Sequence, residues 1–329
     1  MQHESSSTSS PLPDRVVGID VSKAQLDCFI DPPPPSGSPS LRLANDPGAV
    51  AQLVAMLRPL GVRLVLIEAT GRYHRRLAAD LLEAQIPVAV VNPQRAREFA
   101  RATGKLEKSD RIDAQVLAGF ARATDHHACQ KAPQNQAQLD DLVSRRRGLV
   151  QMRIAEKNRQ HDQLPQLARS QCRQMLRLIE QQIEDLDRAI ARMIDSDDDW
   201  RNKSELICSV PGVSQTTAHQ LIADLPELGK LNRGKIAKLV GVAPLSCDSG
   251  RHQGQRRIQG GRGAVRTALY MAAFNAMRYC TRFRLWADQL ARRGKPFKVI
   301  VTACMRKLLI TLNRMVHENT RFQASPVHP

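Results

Sequence analysis

Four acids in the first third of the chain have the types and spacing for phosphoryl-transfer chemistry. Asp20 closes the apolar run RVVGID at 15–20, and Glu68 closes a second, RLVLIE at 63–68. Asp110 and Asp113 follow in KSDRIDAQVLAGFA, three residues apart, so a helix puts both on one face. Four hard oxygen ligands of this kind can hold two Mg2+ (or Mn2+) ions about 4 Å apart, clamping the attacking and leaving oxygens of a phosphate. Singly, each acid has a plainer reading. Asp20 and Glu68 can be solvated strand ends, Asp110 a helix N-cap, and Asp113 a first-turn acid favoured by the helix dipole. Together they favour the metal reading, because two of them end apolar strands, where a rigid scaffold meets solvent.

A hydroxyl in the second half has a different setting. Ser249 precedes Gly250, with Arg251, Arg256, Arg257, Arg262 and Arg266 following. Guanidinium groups bind phosphate in a bidentate manner and stabilise charge that builds during transfer. A serine hydroxyl needs activation by a base or metal, and no His nearby completes a triad. On these residues alone Ser249 reads as a turn serine.

The elements that position the acids follow from periodicity. Residues 15–20, 24–30 and 40–44 read as a strand meander. Asp46-Pro47 is an N-cap and first-turn pair for a helix reaching about Arg58. Residues 63–68 and 87–92 read as buried strands, residues 72–85 as a helix, and Pro93 opens another. Strands that first cluster and then alternate with helices give a mixed sheet flanked by helices. The order β-β-β-α-β-α-β-α is that of an RNase H-like domain, in which the strands ending in Asp20 and Glu68 are neighbours, although other α/β folds share the pattern.

Beyond it the chain reads as helical. Cys172, Leu176, Ile179, Ile183, Leu186, Ile190 and Met193 recur as a heptad seam, preceded by a helix over about 136–163. An antiparallel helical hairpin or a coiled-coil dimer contact explains it equally. LICSVPGVSQTTAHQLIADL at 206–225 resembles a helix-hairpin-helix, whose Gly212 turn can aim backbone N–H groups at a phosphate or serve plain packing. Residues 246–263 are too rich in Gly, Arg and Gln for a regular element, and 264–285 and 297–318 are helical. The expected fold class is α/β plus α. A disordered tail at 1–14 precedes an RNase H/RuvC-like catalytic domain at 15–130. A coiled-coil hairpin at 131–200 and a basic helical domain at 201–329 follow.

Composition narrows the partners. Net charge is +17, and residues 249–329 hold sixteen Lys or Arg against Asp288 and Glu318, a local +14. So one-sided a field attracts polyanions, nucleic acid above all. No apolar run nears the ~18 residues of a membrane span. Seven scattered cysteines without a CxxC pair argue against zinc or a disulfide framework and fit a reduced, cytoplasmic protein.

GID at 18–20, IEATG at 67–71, VNP at 91–93, KSDRIDA at 108–114, PGV at 211–213, GVAP at 241–244, DSG at 248–250 and VRTALYMAA at 265–273 stand in an order that resembles one family. It is that of the DEDD transposases of bacterial insertion sequences, which includes pilin-gene invertases and bridge-RNA-guided recombinases. The likeness spans roughly residues 15–310. It implies a RuvC-like domain whose metal ligands match Asp20, Glu68, Asp110 and Asp113, and a transposase domain whose serine nucleophile matches Ser249. It also implies a phosphoserine link to DNA. The partners implied are double-stranded donor and target DNA and a structured non-coding guide RNA; the seam from Cys172 to Met193 predicts at least a dimer of the chain, and the exchange of two duplexes a dimer of dimers. Asp248 stands where the family usually has Glu, which keeps the charge. Gln259-Gly260 stands where Ser-Lys is usual. A RuvC-type nuclease or junction resolvase would need the acids but not Ser249, and a non-enzymatic nucleic-acid binder neither.

Overall fold

The computed structural model describes residues 14–69, 73–105, 107, 109–129, 134–160, 164–245 and 256–323. The chain divides into two compact units, Met1–Pro133 and Gln134–Pro329.

In the first unit, β1 (Arg15–Val21), β2 (Gln25–Asp31) and β3 (Ser40–Ala44) form the meander, and α1 (Pro47–Leu57) follows. Then come β4 (Val62–Glu68), α2 (Tyr73–Glu83), β5 (Val88–Val91), α3 (Pro93–Ala102) and α4 (Asp110–Ala123). The strand order is β3-β2-β1-β4-β5. β1 pairs antiparallel with β2 and parallel with β4, and β4 runs parallel to β5. This is the RNase H-like sheet that the element order predicts.

The period of two along a strand decides what faces what. Val17, Ile19 and Val21 pack with Leu53, Leu57, Leu77 and Leu81 of α1 and α2. Val16, Leu64 and Leu66 face the other way and pack with Leu117, Phe120 and Ala121 of α4. By the same alternation Gly18, Asp20 and Glu68 share the α4 side. Local signals hold the connecting elements where the sequence places them. The Asp46 side chain caps α1 at the Ala49 N–H with Pro47 at the first position, and Asn92 caps α3 ahead of Pro93.

The second unit is helical: α5 (Gln134–Arg159), α6 (Gln166–Asp195), α7 (Asp198–Cys208), α8 (Gln215–Asp224), α9 (Arg233–Val240), α10 (Gly263–Tyr279), α11 (Thr281–Arg292) and α12 (Phe297–Glu318). Between α9 and α10, β6 (Pro244–Leu245) and β7 (Arg257–Ile258) pair antiparallel. The expectation of no regular element over 246–263 is corrected at β7, which takes its partner from outside that segment. α5 and α6 form the helical hairpin. The α6 seam is covered within the chain: Ile179 and Ile183 pack with Leu149, and Ile190 and Ile194 enter the main core with Leu139 and Val143. Arg146 of α5 binds Asp187 of α6 through two hydrogen bonds of 2.5 and 3.0 Å. Of the two readings of the seam, the hairpin therefore accounts for the burial, and no second chain is needed to cover it. The six described cysteines are unpaired, and no helix among the described residues is long and apolar enough to cross a membrane.

Candidate carboxylate centre and basic domain

The acids are brought together by a helix start placed against a strand end. Ser109, not Asp110, is the N-cap of α4: its hydroxyl accepts from the Ile112 N–H at 3.3 Å. Asp110 and Asp113 thus fall in the first turn, where the helix dipole favours negative charge. α4 lies on β1, β2 and β4 through Ala114, Leu117, Ala118 and Ala121, all buried. Carboxylate oxygens of Asp20, Asp110 and Asp113 all lie within 4.8 Å of one another.

Glu68 ends the strand beside β1, where Ile19 is paired with Ile67. It does not enter the group of three at that distance, but its charge acts on Asp20. Half-burial, and then the negative charges of Asp113, Glu68, Asp110 and Asp27, push the Asp20 carboxyl up to about 6. Crowded hard-oxygen donors whose negative charges bear on Asp20 are the donor set a divalent cation relieves, so these residues fit a hard divalent cation.

Two supporting features escape sequence reasoning. Asp27, opposite Asp20 in the β1–β2 register, is buried, and Arg42 of β3 donates to it at 2.8 Å. The pair ties β2 to β3, while the Asp27 charge still bears on Asp20. Gly18, two residues before Asp20 and buried, is where α4 touches β1. A Cβ built there would fall 2.8 Å from the Leu117 Cβ and closer still to the Ala114 carbonyl oxygen and the Ala118 nitrogen. The glycine lets the helix approach near enough for its acids to meet Asp20. An i, i+2 Gly-Asp pair at the end of a strand was the available signal.

In the second unit Ser249 and Arg251 lie outside the described residues. The flanks of their segment are well anchored. β6 and β7 join its two ends, and a Cβ at Gly261 would fall 2.6 Å from the Gly241 Cα, so the chain after β7 packs backbone to backbone against the end of α9. Arg262 donates to both Glu227 carboxylate oxygens at 2.6 Å and to the Asp224 carbonyl oxygen at 2.9 Å. Arg266 donates to the Gly260 carbonyl oxygen. Both guanidinium groups, expected to contact nucleic acid, are thus also engaged in holding the base of the segment. Arg256 and Arg257 are exposed at the ribbon. Gly212 has a left-handed φ of 92°, and a Cβ there would fall 2.7 to 2.8 Å from the backbone of Asn275 and Ala276 in α10. The structure thus supplies a packing reason for this glycine.

Comparison with known proteins adds the following. Residues 17–168 match a DEDD-type family described as Transposase, and residues 204–287 match the Transposase IS116/IS110/IS902 family. The pilin gene-inverting protein of Moraxella bovis is 27% identical over 263 residues, 78% of this chain and 81% of that protein. That of Moraxella lacunata is 26% identical over 316 residues, 93% and 97% of the two chains. Among solved structures, Thermus thermophilus RuvC matches at a TM-score of 0.28 and 15% identity, covering 35% of this chain and 99% of that one. RuvC of the same organism in complex with a Holliday junction substrate matches at 0.28 and 16%, with the same coverage.

Proposed function

Because this chain belongs to the DEDD transposases of the IS116/IS110/IS902 type and is an enzyme that recombines DNA, we propose that it cuts and rejoins strands through a phosphoserine intermediate at Ser249, assisted by the carboxylates of its first unit. The observation that carries the carboxylate part is the meeting of Asp20, Asp110 and Asp113 within 4.8 Å. Mg2+ or Mn2+ held by these three, with Glu68 alongside, would supply Lewis-acid stabilisation of charge on phosphate oxygens.

Ser249 Oγ attacks a DNA phosphorus atom. A phosphoserine P–O bond forms, a P–O bond to deoxyribose breaks, and the hydroxyl proton passes to the departing sugar oxygen. The number of phosphate ester bonds is unchanged, so a deoxyribose hydroxyl of another strand reverses the step without an energy cofactor. Arg251, Arg256 and Arg257 neutralise phosphate beside the serine. The family resemblance extends the reading to double-stranded donor and target DNA and a structured guide RNA. Active assembly as a dimer or dimer of dimers is part of the same reading. The seam inside the hairpin does not support it; the exposed Met152, Ile154, Leu167, Met175 and Leu178 of α5 and α6 do.

The deciding experiment traps the reaction on a nicked suicide substrate and maps any protein–DNA adduct by mass spectrometry. The adduct is expected on Ser249 and lost in Ser249→Ala, with recombination lost too and DNA binding kept. An active Ser249→Ala protein, or cleavage by water with no adduct, refutes the serine mechanism and leaves a nuclease. Asp20→Ala and Asp113→Ala should each abolish recombination in a folded protein.

A further inference from the structure

One face of α12 lines a groove of about 1350 Å³ in the second unit, closed on its other sides by α11, the β6–β7 ribbon and residues 320–323. The lining positions Lys298, Thr302, Arg306, Ile310 and Arg314 recur at helical spacing, so the groove follows the helix for about 24 Å. Its floor is apolar, with Val242, Ile310 and Met315, and its walls are cationic.

The cations fall into two groups. Arg314 is paired with Glu318 and Arg321 with Glu205, each at 2.8 Å. Arg256, Arg257, Arg282, Lys298, Arg306 and Lys307 have no carboxylate within ion-pair distance among the described residues. Two of these are oriented by aromatic rings, which leave the charge unneutralised. Lys307 Nζ stands 4.3 Å from the centre of the Trp286 ring, and the Arg282 guanidinium 6.0 Å from that of Phe322. The Nε of Arg306 is buried without a hydrogen bond among the described residues. Partial burial, and then the charge of Arg282, hold Lys307 below the usual lysine range. Like charges forced together over an apolar floor need an anion that also brings apolar surface.

We propose that this groove binds a single-stranded nucleic-acid segment, with phosphates on Lys298, Arg306, Lys307 and Arg282 and unstacked bases on the apolar floor. A duplex hides its base faces and offers a convex rail of phosphates, whereas a concave apolar floor between cations suits a strand whose bases are open. The inference rests on the reading of the chain as a DNA recombinase, since strand exchange exposes such segments.

The test uses the full chain carrying Ser249→Ala, without divalent metal, so that no chemistry intervenes. Binding of a fluorescent dT oligonucleotide of about 12 nucleotides, within the site sizes of single-strand grooves, is followed by anisotropy against salt. Lys298→Gln with Arg306→Gln should weaken it by about tenfold and lower the log–log salt slope by about 0.7 for each contact removed. Lys235→Gln with Lys238→Gln, exposed on α9 and outside the groove, should leave both quantities unchanged. An oligonucleotide carrying 5-iododeoxyuridine should crosslink to Trp286 or Phe322. Unaltered binding by the groove variant, crosslinks mapping only elsewhere, or displacement of the oligonucleotide by poly-glutamate at equal charge concentration would each overturn the proposal; the last would mark an acidic polypeptide as the occupant. Loss of recombination in the serine or carboxylate variants has no bearing on these binding results, so the two readings fail separately.

Discussion

Replacing Gly18 by alanine tests whether the carboxylates meet because a glycine lets α4 lie directly on β1. The added methyl would stand more than an ångström inside the 3.4 Å of ordinary contact with the Ala114 carbonyl oxygen and the Ala118 nitrogen. Both are helix backbone, which no side-chain rotation can clear, so α4 must withdraw by about 1 Å, at the 1–3 kcal/mol typical of overpacking. Asp110 and Asp113 move with the first turn of that helix, and Asp20 stays with the sheet, so the group now within 4.8 Å opens. Displacements of about 1 Å at a reacting centre cost on the order of a hundredfold in rate. Mn2+ affinity by calorimetry should fall together with recombination. Stability should be followed by hydrogen exchange in β1 and α4, because both tryptophans, Trp200 and Trp286, lie in the second unit and report nothing on the first. Leu53→Ala is the matched control: it removes a fully buried side chain on the opposite face of the sheet, at a cost of about 2–5 kcal/mol, without moving α4. Mn2+ affinity in Gly18→Ala equal to wild type, or an equal loss in Leu53→Ala, would refute the reasoning.

Four further outcomes are expected. Asp20 titrates at about 6 in the folded, metal-free protein against an ordinary 3.8, so the folded state holds more protons between these values. Its contribution to stability is complete below pH 3.8 and lost as pH rises through about 6; calorimetry should show the metal-free first unit weakening over that window. Mn2+ affinity should run the opposite way, weakening below about pH 6 as the ion competes with a proton; a flat profile from pH 5 to 7.5 would contradict it. Arg262→Lys cannot keep both hydrogen bonds to Glu227 and should cost about 1 kcal/mol, reduced by partial exposure, with DNA affinity unchanged. A loss of DNA affinity would return Arg262 to the nucleic-acid interface. Ile183→Ala should destabilise the hairpin by about 2–5 kcal/mol without altering the oligomeric state in light scattering, because the seam is filled inside one chain.

Much of the first unit was legible in the sequence because its signals are local. Apolar runs of period two mark the strands, Asp46-Pro47 and Pro93 mark helix starts, and acids at the ends of two such runs mark an edge where chemistry can sit. The spacing of Asp110 and Asp113 on one helix face needs no partner to be read. Which contacts those groups make is another matter, because contact depends on elements distant in the chain. Ser109 rather than Asp110 caps α4, and only the packing of α4 on β1 explains Gly18. The heptad seam is a property of one helix, and whether it meets α5 or a second copy is decided by the turn between the helices and the core they enter. Charge shows the same division most clearly. The sequence counts sixteen cations after residue 248 and assigns the interface to those nearest Ser249. In the folded chain Arg262 and Arg266 are engaged by the Glu227 carboxylate and the Gly260 carbonyl, while Lys298, Arg306 and Lys307, far along the chain, line one groove. A residue's charge belongs to its type, but whether that charge is free to meet a ligand depends on which carboxylates and carbonyls the fold carries to it.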